Sequence, residues 1–174
     1  MMPNPGAPDW IIPVKRLVTT GKAGAWCRLP YPGHPQGCPN YGRRAKCPPH
    51  APRVDAVFDL AKPLFLVHSV FQLEAHAHVM KVLHPEWSER QCRCVLYWQE
   101  KSRAELRARI RIAWRLLRTT ACAEIPEALG VNVYVTARQS GLHLDKIRNL
   151  KVCRHVALLG TLKPAFLSAM LRRY

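Results

Sequence analysis

Cys27, Cys38 and Cys47 stand in one stretch of chain at the spacing Cys-x10-Cys-x8-Cys. Thiolates are soft ligands, and three of them on one loop suit zinc or an iron–sulfur cluster. Cys38 and Cys47 each precede a proline, as the last cysteine of bacterial ferredoxin loops does. Proline offers no N–H to a neighbouring sulfur and its ring screens the ligand from water. Both effects tune a cluster more than they serve a structural zinc, so the prolines favour a 4Fe–4S cluster over zinc. Arg28, Arg43, Arg44 and Lys46 would offset the thiolate charge. A fourth position is left to His34, Cys122 or Cys153, or to an open iron at which chemistry could occur.

A second constellation is basic. Arg103, Arg107, Arg111, Arg115 and Arg118 recur mostly at four-residue steps beside the apolar series Leu106, Ile110, Ala113, Trp114 and Leu117. This spacing predicts a helix from Ser102 with an arginine ridge along one side and Trp114 in the core. Like charges four apart oppose an isolated helix by a few tenths of a kcal/mol each, which phosphate oxygens would relieve. Lysine and arginine total 27 against 11 aspartate and glutamate, a net +16 with pI near 10.2. That balance points to a polyanion, RNA or DNA, as partner.

The elements that must position these groups follow from patterning. Residues 26–53 hold seven prolines and the glycines Gly33, Gly37 and Gly42, so neither helix nor central strand runs through them. So long a loop needs something other than secondary structure to fix its shape, and a metal would do so. Trp10–Ile12 suits a short strand, Val54–Leu60 a short helix, and 64–71 and 153–159 buried strands. Helices are expected over Glu74–Leu83, from the N-cap Ser88 to about Glu100, within Pro126–Gly141 after a short extended piece at Val131–Val135, and over Pro164–Arg172. The expected fold is α/β, a compact single domain over 1–174. A small sheet is packed by helices, with the Pro/Gly-rich cysteine loop of 26–53 at its edge.

Hydrophobic residues make up 48% and charged residues 22%, as in a globular chain. No run approaches the roughly 18 apolar residues of a membrane span, and Pro3, Pro5, Pro8 and Asp9 do not suit a signal peptide. With seven cysteines, an odd number, the expected compartment is the reducing cytoplasm. No phosphate-binding Walker loop, dinucleotide glycine fingerprint or nucleophile elbow is present, nor a Cys-x3-Cys-x2-Cys of the radical type.

The run Cys38-Pro39-Asn40-Tyr41-Gly42, then Cys47-Pro48-Pro49-His50-Ala51-Pro52, and later Pro126-Glu127-Ala128-Leu129-Gly130-Val131-Asn132-Val133 resemble the predicted metal-binding proteins called domain of unknown function 2284. The resemblance implies that the first cysteines are metal ligands. That family's second cysteine cluster has no counterpart here beyond Cys122. The sequence therefore predicts a metal-binding, iron–sulfur protein acting on or with nucleic acid. The alternative is a zinc-stabilised module, without catalysis, that binds nucleic acid or serves as an adaptor for a protein partner.

Overall fold

Leu66–Val67 and Ala157–Leu159 belong to apolar runs that do not alternate with polar residues, as befits strands covered on both faces. In the computed structural model, which describes residues 7–30, 34–146 and 149–171, they form the middle of an antiparallel sheet. Its strands are β1 (Ile11–Pro13), β2 (Phe65–His68), β4 (Ala121–Ala123) and β6 (Val156–Gly160), in the order β1-β2-β6-β4. The register pairs Ile12 with Leu66, Leu66 with Leu158 and Ala123 with Leu158.

Side-chain alternation sends the two faces to different partners. Val67, Ala157 and Leu159 meet Leu106, Ile110 and Ala113 of the long helix α5 (Gln99–Leu117). Leu66, Leu158, Ala121 and Ala123 face Val54 of α2 (Val54–Val57), Phe58 beyond it, and Val133 and Ala137 of α6 (Val133–Gln139). The remaining helices are α1 (Ala23–Trp26), α3 (Leu73–Leu83), α4 (Glu89–Cys92) and α7 (Pro164–Leu171). The chain is thus α/β, a small sheet packed by helices.

Two expected strands are shorter than the apolar runs suggest. The stretch 64–71 splits into β2 and β3 (Phe71–Gln72), and 153–159 splits into β5 (Val152–Cys153) and β6. β3 pairs with β5 in a separate two-stranded ladder, so both runs break at the same level, at Ser69–Val70 and Arg154–His155. Polar bonds hold the joint. Ser69 N–H donates to His155 O at 3.0 Å, and His155 N–H donates to Ser69 Oγ at 3.2 Å.

The helix expected from Ser88 to Glu100 is likewise interrupted. Ser88 does cap it, with Gln91 N–H donating to Ser88 Oγ and the Gln91 side chain accepting from Ser88 N–H. α4 nevertheless ends at Cys92, and a 3-10 turn at Val95–Tyr97 lowers Trp98 into the interior, stacked on Phe71 at 5.0 Å. Within Pro126–Gly141 a 3-10 turn over Pro126–Leu129 precedes α6, and the extended piece between them narrows to Val131, bridged to Thr19. The expected terminal helix reaches Leu171, and Arg172 lies outside the described residues. No helix among the described residues is long and apolar enough to cross a membrane.

Candidate metal loop and nucleic-acid interface

The cysteine loop is anchored at its start by the chain before it. Thr20 N–H donates to Gly130 O and Asn132 N–H to Val18 O, both at 2.7 Å. α1 is thereby set beside the 3-10 turn that carries Glu127, and Cys27 follows directly. Cys38 N–H returns to Cys27 O at 2.7 Å. The approach is close enough to require Gly37, whose φ is +84°: a Cβ there would lie 2.5 Å from Cys27 O. Further along, Gly42 N–H donates to Pro48 O, and Cys47 O accepts from His50 and Ala51 N–H. Arg28 lies over the Tyr41 ring at 5.9 Å, tying the two arms together.

All three thiols are half-buried and free. Burial raises the Cys27 thiol pKa, and the charges of Cys38, Cys47 and Glu127 raise it further. The three expected ligands therefore share one electrostatic neighbourhood. Among the described residues, however, no three His, Cys, Asp or Glu side chains stand close enough together to hold a metal ion. The donor types suit a soft metal; their present spacing does not gather them at one point.

The expected candidates for the fourth position separate in space. His34 lines a shallow hollow beside Cys38 and Tyr41. Cys122 is packed against the α5 face of the sheet, where burial, with Glu124, pushes its thiol up to about 12. Cys153 opens instead on a separate cleft, and its thiol is raised by burial. Glu127, which sequence reasoning did not single out, is the carboxylate that acts on Cys27, and burial raises its own pKa. Only its position in the resembling Pro126–Gly130 block marked it.

α5 carries the arginine ridge as expected. Its buried side is Ser102, Leu106, Ile110 and Ala113, which leaves Arg103, Arg111, Arg115 and Arg118 exposed and Arg107 half-exposed. Arg118 is the αL residue just beyond the helix. Trp114, expected in the core, is instead 39% exposed, because it falls at the edge of the buried stripe. It shares a hollow with Arg107, Arg111 and Arg115. Arg107 donates to Glu100 at 2.7 Å, whereas the other four ridge arginines hold no ion pair among the described residues.

The loop and the ridge meet. A cleft of about 640 Å³ has Asn40 and Arg44 of the cysteine loop on one wall and Arg103 and Arg107 of α5 on another. Glu124, Glu127, Tyr134, Cys153, Arg154 and His155 also line it, with apolar side chains such as Leu106, Ile125 and Val133 between them. No protein-family model, curated protein or solved structure matches this chain.

Proposed function

We propose that the protein binds nucleic acid along the arginine ridge of α5 and carries a metal on Cys27, Cys38 and Cys47, a 4Fe–4S cluster in preference to zinc. The observation that carries the reading is the shared cleft: Arg44 of the cysteine loop and Arg103 and Arg107 of the ridge wall the same space. The loop that carries the cysteines and the arginine helix thus both contribute side chains to one surface. A strand laid on the ridge would neutralise Arg103, Arg111, Arg115 and Arg118, and Trp114 offers a ring on which a base can stack.

The metal part rests on the thiols. Three soft donors lie on one loop, and the neighbouring charges that hinder ionisation of Cys27 would be offset by a bound cation. A cluster would supply redox or Lewis-acid chemistry, and the chain's own part is to bring the phosphate backbone beside it. All seven cysteines are free, which suits a reducing cytoplasm.

Two measurements test the reading separately. Metal and sulfide analysis of protein prepared without oxygen should find iron with sulfide, lost in Cys38→Ala. Stoichiometric zinc would indicate a zinc-stabilised, non-catalytic module, and neither metal would remove the metal site. Fluorescence anisotropy with single-stranded RNA and DNA should show affinity falling steeply with salt. Affinity indifferent to salt would point away from nucleic acid, towards an adaptor for a protein partner.

A further inference from the structure

His155 stands at the joint where the two ladders part, and its ring is held from behind. Its backbone N–H donates to Ser69 Oγ at 3.2 Å, Ser69 Oγ lies 3.0 Å from Ser102 Oγ, and Ser102 Oγ lies 2.9 Å from the ring's Nδ1. Ser69 and Ser102 are fully buried, so their hydroxyl protons must find acceptors within the protein. One direction satisfies every group: His155 N–H to Ser69, Ser69 O–H to Ser102, Ser102 O–H to His155 Nδ1. In the opposite direction the Ser69 O–H has no acceptor among the described residues. Nδ1 is therefore an acceptor, and the neutral ring carries its proton on Nε2. His155 lines the cleft, and Nε2–H is the one proton its neutral ring has to donate there.

The rest of the lining joins apolar side chains, among them Leu106, Ile125, Val133 and Val152, to charges of both signs. Arg154 Nε is buried with no hydrogen-bond partner, and Arg103 holds no ion pair among the described residues. Elsewhere in the lining, Glu124 and Glu127 supply carboxylates and Tyr134 a half-exposed ring, while Asp145 Oδ2 already accepts from the Lys151 and Val152 N–H groups. Inorganic phosphate would use the guanidinium groups alone and leave the carboxylates unmet. A nucleotide uses both chemistries, with phosphate at the guanidinium groups and hydroxyl or exocyclic amine groups at the carboxylates. The volume, about 640 Å³, is that of a small-molecule site.

We propose that this cleft takes a nucleoside monophosphate group, either free or as the phosphorylated end of a strand. Arg103, Arg154 and His155 hold the phosphate and Tyr134 stacks on the base. The inference goes beyond the strand-binding reading, since a mononucleotide needs only the cleft and no metal.

Calorimetry on the full chain tests it with adenosine and guanosine 5′-monophosphates, the matching nucleosides and inorganic phosphate. The monophosphates should bind about tenfold or more tighter than the nucleosides, and His155→Phe and Arg154→Gln should each lose about that factor. Tyr134→Leu, at a half-exposed position, keeps the test available if Arg154→Gln does not fold, and should weaken monophosphate binding but not phosphate binding. Imidazole ¹⁵N shifts should show His155 as the Nε2–H tautomer, released in Ser102→Ala. Nucleosides binding as tightly as monophosphates, phosphate alone binding equally well, or an Nδ1–H tautomer in the unmodified chain would overturn the proposal. Short strands with and without a 5′-phosphate identify the source. Tighter binding of the phosphorylated strand than of the free monophosphate assigns a strand end, and the reverse assigns a free nucleotide. Loss of strand binding with monophosphate binding intact would overturn the ridge reading alone.

Discussion

Seven free thiols in one chain differ by what surrounds them, and Cys122 is the extreme. It lies among the side chains that join the sheet to α5, and burial, with the charge of Glu124 behind it, moves its pKa from 9.0 to about 12. Cys27 is also raised, by burial first, but there the neighbouring Cys38, Cys47 and Glu127 add to it. The shift at Cys122 has a consequence for stability. Below about pH 9 the thiol is protonated in both the folded and the unfolded chain. Above it the unfolded chain releases the proton while the folded chain keeps it, so stability falls as pH rises from 9.0 towards 12. Cys122→Ala should flatten that fall, measured as melting temperature against pH. An equally steep fall in the variant would mean that the thiol is not insulated.

At the scale of elements, α4 shows how a short helix depends on its ends. It has four residues, too few to be stable through its own ladder, and its capping box satisfies two of the groups left open at the start. Ser88→Ala should therefore cost about 1 kcal/mol in denaturant unfolding, although Ser88 is exposed and buries nothing. No change would mean that burial of Cys92 and Trp98 alone holds the segment. That cap was legible in the sequence, as was α5, whose apolar and arginine spacings reinforce each other over five turns. The breaks in the strands were not. Nothing in the periodicity of 64–71 or 153–159 marks Ser69 or His155, because the group that joins them, Ser102, comes from a helix 33 residues from the one and 53 from the other. β4 was missed because Ala-Cys-Ala is too short to show an alternation. The long Pro/Gly-rich stretch free of central strands was legible through its own composition; where its three sulfurs would stand was not. Glu127 was not, since only the lacing of residues 18–20 onto 130–132 brings it to Cys27.

Over the whole molecule the charge of +16 is unevenly committed, and this separates arginines that hold the fold from those free to meet a partner. Arg109 belongs to the first group. It pairs with Glu105 at 2.6 Å, donates to His68 O at 2.8 Å and lies over the Trp10 ring, so it ties α5 to β2 and to the chain before β1. Arg111 and Arg115 belong to the second, on the exposed side of the same helix beside Trp114. Each phosphate neutralised on a single strand contributes roughly 0.7 to the slope of log affinity against log salt. Replacing Arg111 and Arg115 by alanine should thus lower that slope by about 1.4 and weaken binding of different sequences alike, with little effect on melting. Arg109→Ala should do the opposite, leaving the slope near its original value while lowering the melting temperature, since its ion pair and carbonyl contact are half-buried. If Arg109→Ala reduces the slope as much as either ridge substitution, the charge acts as a diffuse cloud and α5 presents no distinct face to nucleic acid.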